Sequence, residues 1–389
     1  MHDPDVFAQL ESSFHAGGTA AMLEQLCEQF TAEDRHHELF EAFKLRLRHR
    51  LGLPLFSSSA EELPPGTLRD QLEAGLLDAC RVVGRRLLEA GRIRDAWTYL
   101  RPVGDLPELR EALARIEPTE ENAGELIELY LQEGLDLERG FELLLRHYGT
   151  CNTITTYDSS MYGQPRAARA TGARLLVRHL HEELLHRLRE HLRRLGADEA
   201  PQHGIRQLLA DEPRLMAEGA YHIDTTHLAS VTRIARNTLD AESWFLARDL
   251  CAYGRQLDAG LQYSDAAPFE ELYPASDRFF AALLDESRTA HLQYFRERAE
   301  ASDSYHETTY VCEVYVDLLA RCGCVADAWR ESIRLLPAGM QTTGLAPSLL
   351  ELAESGRLYE SLRDLARERR DRLTFALGLA QSAPAANGP

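Results

Sequence analysis

Between Tyr221 and Leu228 the stretch "YHIDTTHL" sets His222, Asp224 and His227 within six residues. Two imidazoles and a carboxylate form a donor set that suits zinc, iron or manganese. Asp224 and His227, three apart, share one face of any helix formed there. His222 and His227 stand about 140° apart around an α-helix, so His222 joins them only from a loop ahead of the helix. A plainer reading serves the same residues. Thr225 and Thr226 open a helix, and Asp224 caps it by accepting a backbone N–H near His227.

A second set lies in "RLLVRHLHEELLHRLREHLRRL". Projected at about 100° per residue, Val177, Leu180, Leu184, Leu188 and Leu195 gather on one side, and His179, Glu183, His186 and Glu190 on the other. His179 and Glu183 are i, i+4, and Glu183 and His186 are i, i+3, so the three can point at one ion. The alternative is a solvated charged face. His181 and His191 fall on the apolar side, where they pack. If this face met the 222–227 stretch in a groove, a divalent metal could activate a water, with Glu183 or Asp224 as base, giving a hydrolase-like site.

The third unusual stretch, "HYGTCNTITTYDSSMYGQP", is crowded with small polar groups. Cys151, Asn152, Thr155, Tyr157 and Asp158 are expected to line a ligand-binding loop, or else to satisfy the loop's own backbone. Familiar catalytic signatures are missing: there is no GKS or GKT, GxGxxG, HExxH, GxSxG or paired CxxC. "HEELLH" has its histidines five apart where the zinc-protease helix needs four.

The elements that must position these residues are helical. Leucine, alanine, arginine and glutamate dominate while valine and isoleucine are scarce, which favours helix over sheet. "TAEDRHHELFEAFKLRL" reads as a helix capped at Thr31, with Asp34 in the place of the capping-box glutamate. "PTEENAGELIELYLQEG" reads as one closed at Gly134. The 389 residues suffice for two ordinary domains or one elongated array. The formal charge of −19 gives solubility and repels nucleic acid and anionic membranes. No run approaches the ~18–20 apolar residues of a membrane span, and the N-terminus shows no secretory pattern. Seven scattered cysteines read as reduced thiols, so a cytoplasmic protein without a membrane association is expected.

Self-similarity is the clearest organising signal. Gly91 is followed by Asp95-Ala96-Trp97, and Gly323 by Asp327-Ala328-Trp329, at the same offsets. Gly254 with Asp258, Gly356 with Glu360, and Gly134 with Glu138 repeat the mark. Each fits a helix ending at a glycine in the left-handed conformation, a short turn, and an acid near the next helix N-terminus. Thr-Thr pairs recur at Thr155, Thr225, Thr308 and Thr342, the last two 34 residues apart.

"ETTYVCEVYVDLLARCGCVADAWRESIRLLPAG", continuing into "MQTTGLAPSLLELAESGRLYESLRDLARER", resembles the tetratricopeptide and pentatricopeptide class of helical repeats. The likeness is best over 305–370 and looser over 85–150 and 225–260. It implies an all-α, curved α-solenoid of irregular helix-turn-helix repeats that binds a partner along a groove. The expected layout is one continuous array over 1–381, with loops near 52–67, 150–165, 196–213 and 264–276, and a disordered tail at 382–389. The expected function is a binding or scaffold protein holding a peptide or protein partner. The alternatives are a metal-dependent enzyme or metal-binding protein, and RNA binding through 166–194, where eight arginines face three glutamates.

Overall fold

A chain so rich in strong helix formers satisfies its backbone locally. The computed structural model describes residues 6–55, 65–104, 106–196, 203–301, 307–336 and 342–382. Among these residues every regular element is helical and no strand occurs. The fold is all-α. The chain divides into two compact units, Met1–His147 and Tyr148–Pro389.

The first unit holds α1 (Val6–Ala32), α2 (His36–Arg50), α3 (Thr67–Glu89), α4 (Ile93–Leu100), α5 (Leu106–Ala114), α6 (Ala123–Leu131) and the opening of α7 (Leu137–Ser160). The pairs α1–α2, α2–α3 and α3–α4 pack side by side. One core cluster joins Cys27, Leu39, Val83, Leu87 and Ala96, and a second joins Ile93, Leu113, Leu126, Tyr130 and Leu143. The turn at Gly91 is the hairpin the repeat mark describes. Gly91 sits at φ 72°, the Arg92 N–H returns to the Leu87 carbonyl at 2.8 Å, and Asp95 lies in the first turn of α4.

The second unit continues with α8 (Arg166–Arg194), α9 (Ile205–Asp211), α10 (Thr225–Ala235), α11 (Ala241–Gly254) and α12 (Leu272–Leu283). After these come α13 (Arg288–Ala301), α14 (Glu307–Arg321), α15 (Val325–Leu335), α16 (Leu349–Gly356), α17 (Tyr359–Glu368) and α18 (Arg372–Ser382). Helices α10 and α11 lie against α8, and from α11 onward each helix packs on the next through α18. Gly323 repeats the Gly91 turn at φ 79°, with the Cys324 N–H on the Leu319 carbonyl.

A buried ion cluster ties this unit together. Asp317, 1% exposed, pairs with Arg166 and Arg321, and Arg321 donates to the carbonyls of Arg236 and Thr238 at 2.7 and 2.6 Å.

Several expectations need correction. Thr31 belongs to the last turn of α1, and α2 starts only after Asp34, at φ 53°. The Gly254 mark makes no α-helical hairpin: a 3-10 turn at Ala259–Leu261 follows it. Residues 150–160, expected as a loop, continue α7 beyond a break at Gly149 (φ 77°, ψ 178°). Helix α9 lies inside the expected 196–213 loop. The 34-residue interval from Thr308 ends at Thr342 in a connection, where the buried carboxylate of Glu313 accepts the N–H groups of Thr343, Leu345 and Ala346. Ser382, the first residue of the expected 382–389 tail, ends α18, and residues 383–389, with residues 56–64 of the first loop, lie outside the described residues. Among the described residues no helix is long and apolar enough to cross a membrane.

Candidate functional site

Helix α8 carries a ridge of Leu176, Leu180, Leu184, Leu188 and Leu192, each 1% exposed or less. This i, i+4 row anchors the helix on α10 and α11. Burying it turns a different stripe outward, so that Glu183, Arg187, Glu190, His191 and Arg194 line one wall of an open cleft of ≈ 750 Å³. The segment from Ala220 to Thr225 lines the opposite side, with Leu261.

That segment is fixed from both ends. At its C-terminal end Asp224 caps α10. Its Oδ1 accepts from Thr226 N at 2.8 Å, Thr226 Oγ1 at 2.6 Å and His227 N at 3.4 Å. The Thr226 hydroxyl, then these backbone N–H groups, hold the Asp224 carboxyl below its usual range. At the other end the Tyr253 hydroxyl of α11, fully buried, accepts the His222 backbone N–H at 2.8 Å and meets His222 Nδ1 at 3.1 Å. His222 Nε2 in turn lies 2.9 Å from His191 Nδ1. Burial, with the charge of a protonated His191 second, pulls the His222 imidazole down to about 4. Burial pushes the Tyr253 phenol up to about 12, against the opposing hydrogen bond from the His222 backbone. Both groups are therefore neutral near pH 7.

Of the six residues expected as metal ligands, Glu183, His222 and Asp224 line this cleft. His179 instead bonds Thr150 Oγ1 at 3.1 Å. His186 is exposed beside Glu190 at 3.3 Å, and His227 follows the cap on α10. Among the described residues no three His, Cys, Asp or Glu side chains group as they would to hold a metal ion. The physical reason is local. Asp224 Oδ1 is committed to its cap, and both ring nitrogens of His222 are committed to Tyr253 and His191.

The expected ligand-binding loop is corrected in the same way. Cys151, Asn152, Thr155, Tyr157 and Asp158 stand on helix α7. Asn152 donates to the Tyr148 carbonyl at 2.8 Å and Thr155 to that of Cys151 at 3.1 Å, while buried Tyr157 donates to the Arg169 carbonyl at 3.0 Å. These small polar groups serve their own backbone.

Several arginines of 166–194 are engaged within the fold, Arg166 with Asp317 and Arg178 with Glu242, while Arg187 stands 3.8 Å from Glu190. Arg169 reaches Asn237, and Arg189 the His203 carbonyl.

Helical projection puts His191 on the packing side, beside the leucine ridge, and the sequence singles out nothing at Tyr253. The available signal was the i, i+4 and i, i+3 run Glu183, Arg187, His191, Arg194. Compared with protein-family models, curated proteins and solved structures, the chain matches none.

Proposed function

We propose that the chain is a helical-repeat binding protein whose cleft between α8 and the 220–225 segment holds a peptide segment of a protein partner. The observation that carries this reading is the cleft itself: ≈ 750 Å³, open, and walled by side chains of both charge signs. Its volume falls in the range of ligand sites, and adjacent opposite charges select a partner by complementarity. Both ring nitrogens of His222 and the Nδ1 of His191 are spent on each other and on Tyr253, an arrangement that supports recognition over metal chemistry.

The run of neighbouring helices from α11 to α18 and the glycine turns at Gly91 and Gly323 support the finer architecture, a tetratricopeptide-like curved solenoid. A cytoplasmic setting belongs to the same proposal: the seven cysteines are unpaired thiols, as a reducing compartment maintains them. Nucleic acid is not the partner in this reading, given the −19 charge and the engaged arginines.

The test is selection of random peptides on the purified full chain, followed by affinity measurement against a Glu183→Arg/Arg187→Glu exchange. Selected peptides should lose at least about tenfold in affinity, about 1.4 kcal/mol. No selectable peptide, or peptides indifferent to the exchange, would sink the proposal.

A further inference from the structure

The hydrogen-bond chain Tyr253–His222–His191 determines which atom His191 offers to the cleft. The Tyr253 oxygen accepts the His222 backbone N–H at 2.8 Å, and its phenol has one hydrogen of its own to place. The acceptor facing it is His222 Nδ1 at 3.1 Å. With Nδ1 accepting, His222 carries its proton on Nε2 and donates it to His191 Nδ1 at 2.9 Å. Neutral His191 must then hold its own proton on Nε2. The opposite polarity would leave the hydroxyl hydrogen of a side chain with no solvent exposure without an acceptor among the described residues, the costly arrangement for a buried donor. Protonated His191 also bears hydrogen on Nε2. In either state the free end of the chain is a donor.

That donor does not stand alone. Arg187 and Arg194 flank His191 on the cleft wall, at the i, i+4 and i, i+3 spacings that put the three on one stripe of α8. Among the described residues Arg187 makes one long contact, 3.8 Å to Glu190 Oε2. The other oxygen of Glu190 is 3.3 Å from His186. The stripe therefore presents two guanidinium groups and an imidazole N–H, every one of them a donor.

We infer that Arg187, His191 and Arg194 form a subsite for a carboxylate, supplied by an Asp or Glu side chain of the bound segment. This rests on the peptide-binding reading above and names the chemistry of its partner. Guanidinium groups suit the planar carboxylate, and the imidazole N–H adds a directed bond. Glu183, at the other end of the same stripe, repels a second acid nearby. The segment that fits is one with an isolated acidic residue, not a polyanion.

The test uses the full chain labelled with 15N-histidine and titrated with butyrate, a single carboxylate on a short apolar stem without a peptide backbone. At neutral pH His191 should show the Nε2–H tautomer, and its signals should shift saturably with butyrate but not with butylamine, a cation of similar length. The Arg187→Gln/Arg194→Gln variant should keep the tautomer and weaken butyrate binding at least about tenfold. An Nδ1–H tautomer in neutral His191 would overturn the inference. So would an equal response to butylamine, no response to butyrate, or a response that survives the double substitution. Butyrate binding with no selectable peptide would sink the peptide reading alone. Peptides that dock in the cleft while butyrate fails would sink the carboxylate subsite alone.

Discussion

Replacing Tyr253 by phenylalanine removes one oxygen and isolates what that oxygen does. The ring is fully buried, so Phe fills the same space and the packing term stays nearly unchanged. What is lost is an acceptor for the His222 N–H at 2.8 Å and a donor to its Nδ1 at 3.1 Å. Leaving a buried N–H without a partner costs about 1–3 kcal/mol, and the weaker bond to the ring adds about 0.5–1.5 kcal/mol. Tautomer exchange in His222 recovers part of this, so the expected loss is about 2–3 kcal/mol. Urea unfolding of the second unit reads it through Trp244 and Trp329, in a Trp97→Phe background that silences the first unit. With a slope near 3 kcal/mol per molar urea, the midpoint should fall by about 0.7–1 M. The 220–225 amides should also exchange faster with solvent than in the parent. A midpoint change below about 0.2 M, with unchanged exchange at 220–225, would refute the claim that Tyr253 holds this wall of the cleft.

Four further outcomes follow from the same geometry. His222, lowered from 6.5 to about 4, is kept neutral by the fold, so between those values the unfolded chain binds more protons. Its contribution to stability is present above pH 6.5 and fades as pH falls toward 4, by about 3 kcal/mol at full conversion and about 2 kcal/mol once solvent screening of the half-buried ring is discounted. His222→Gln should flatten the stability–pH slope in that window, and an unchanged slope would count against it. Asp224→Ala should cost about 1 kcal/mol, the loss of a helix cap, with Asp224→Asn or Asp224→Ser restoring most of it in thermal unfolding. Asp317→Ala should cost about 3–5 kcal/mol, because it leaves the buried Arg321 guanidinium unpaired. A loss below about 1 kcal/mol in denaturant titration would contradict that assignment. Chelator followed by added zinc should leave the melting temperature unchanged, and a rise with zinc would point to ligands the structure does not group.

What the sequence made legible was local. Asp224 could be named as a cap because its partners, Thr226 and His227, are two and three residues away. The turns at Gly91 and Gly323 were likewise readable, since a glycine in the left-handed conformation and an acid four residues on belong to one hairpin. The His191–His222–Tyr253 chain was not readable. Each of its links spans 31 residues and exists only because α8 and α11 pack together.

Residues 150–160 failed for a different reason. Thr, Ser and Asn side chains are common in loops, but the same groups can bond carbonyls one helical turn back, as Thr153 does with Gly149 at 2.8 Å. Composition does not distinguish the two. The 34-residue spacing from Thr308 to Thr342 gave no sign of the buried Glu313, thirty residues before Thr343, which organises a loop there.

The most direct measurement is amide hydrogen exchange of the full chain, free and saturated with its strongest selected peptide. Protection should concentrate at 183–194 and 220–225, the two walls of the cleft. Protection confined to other helices, with both walls exchanging as in the free protein, would contradict this.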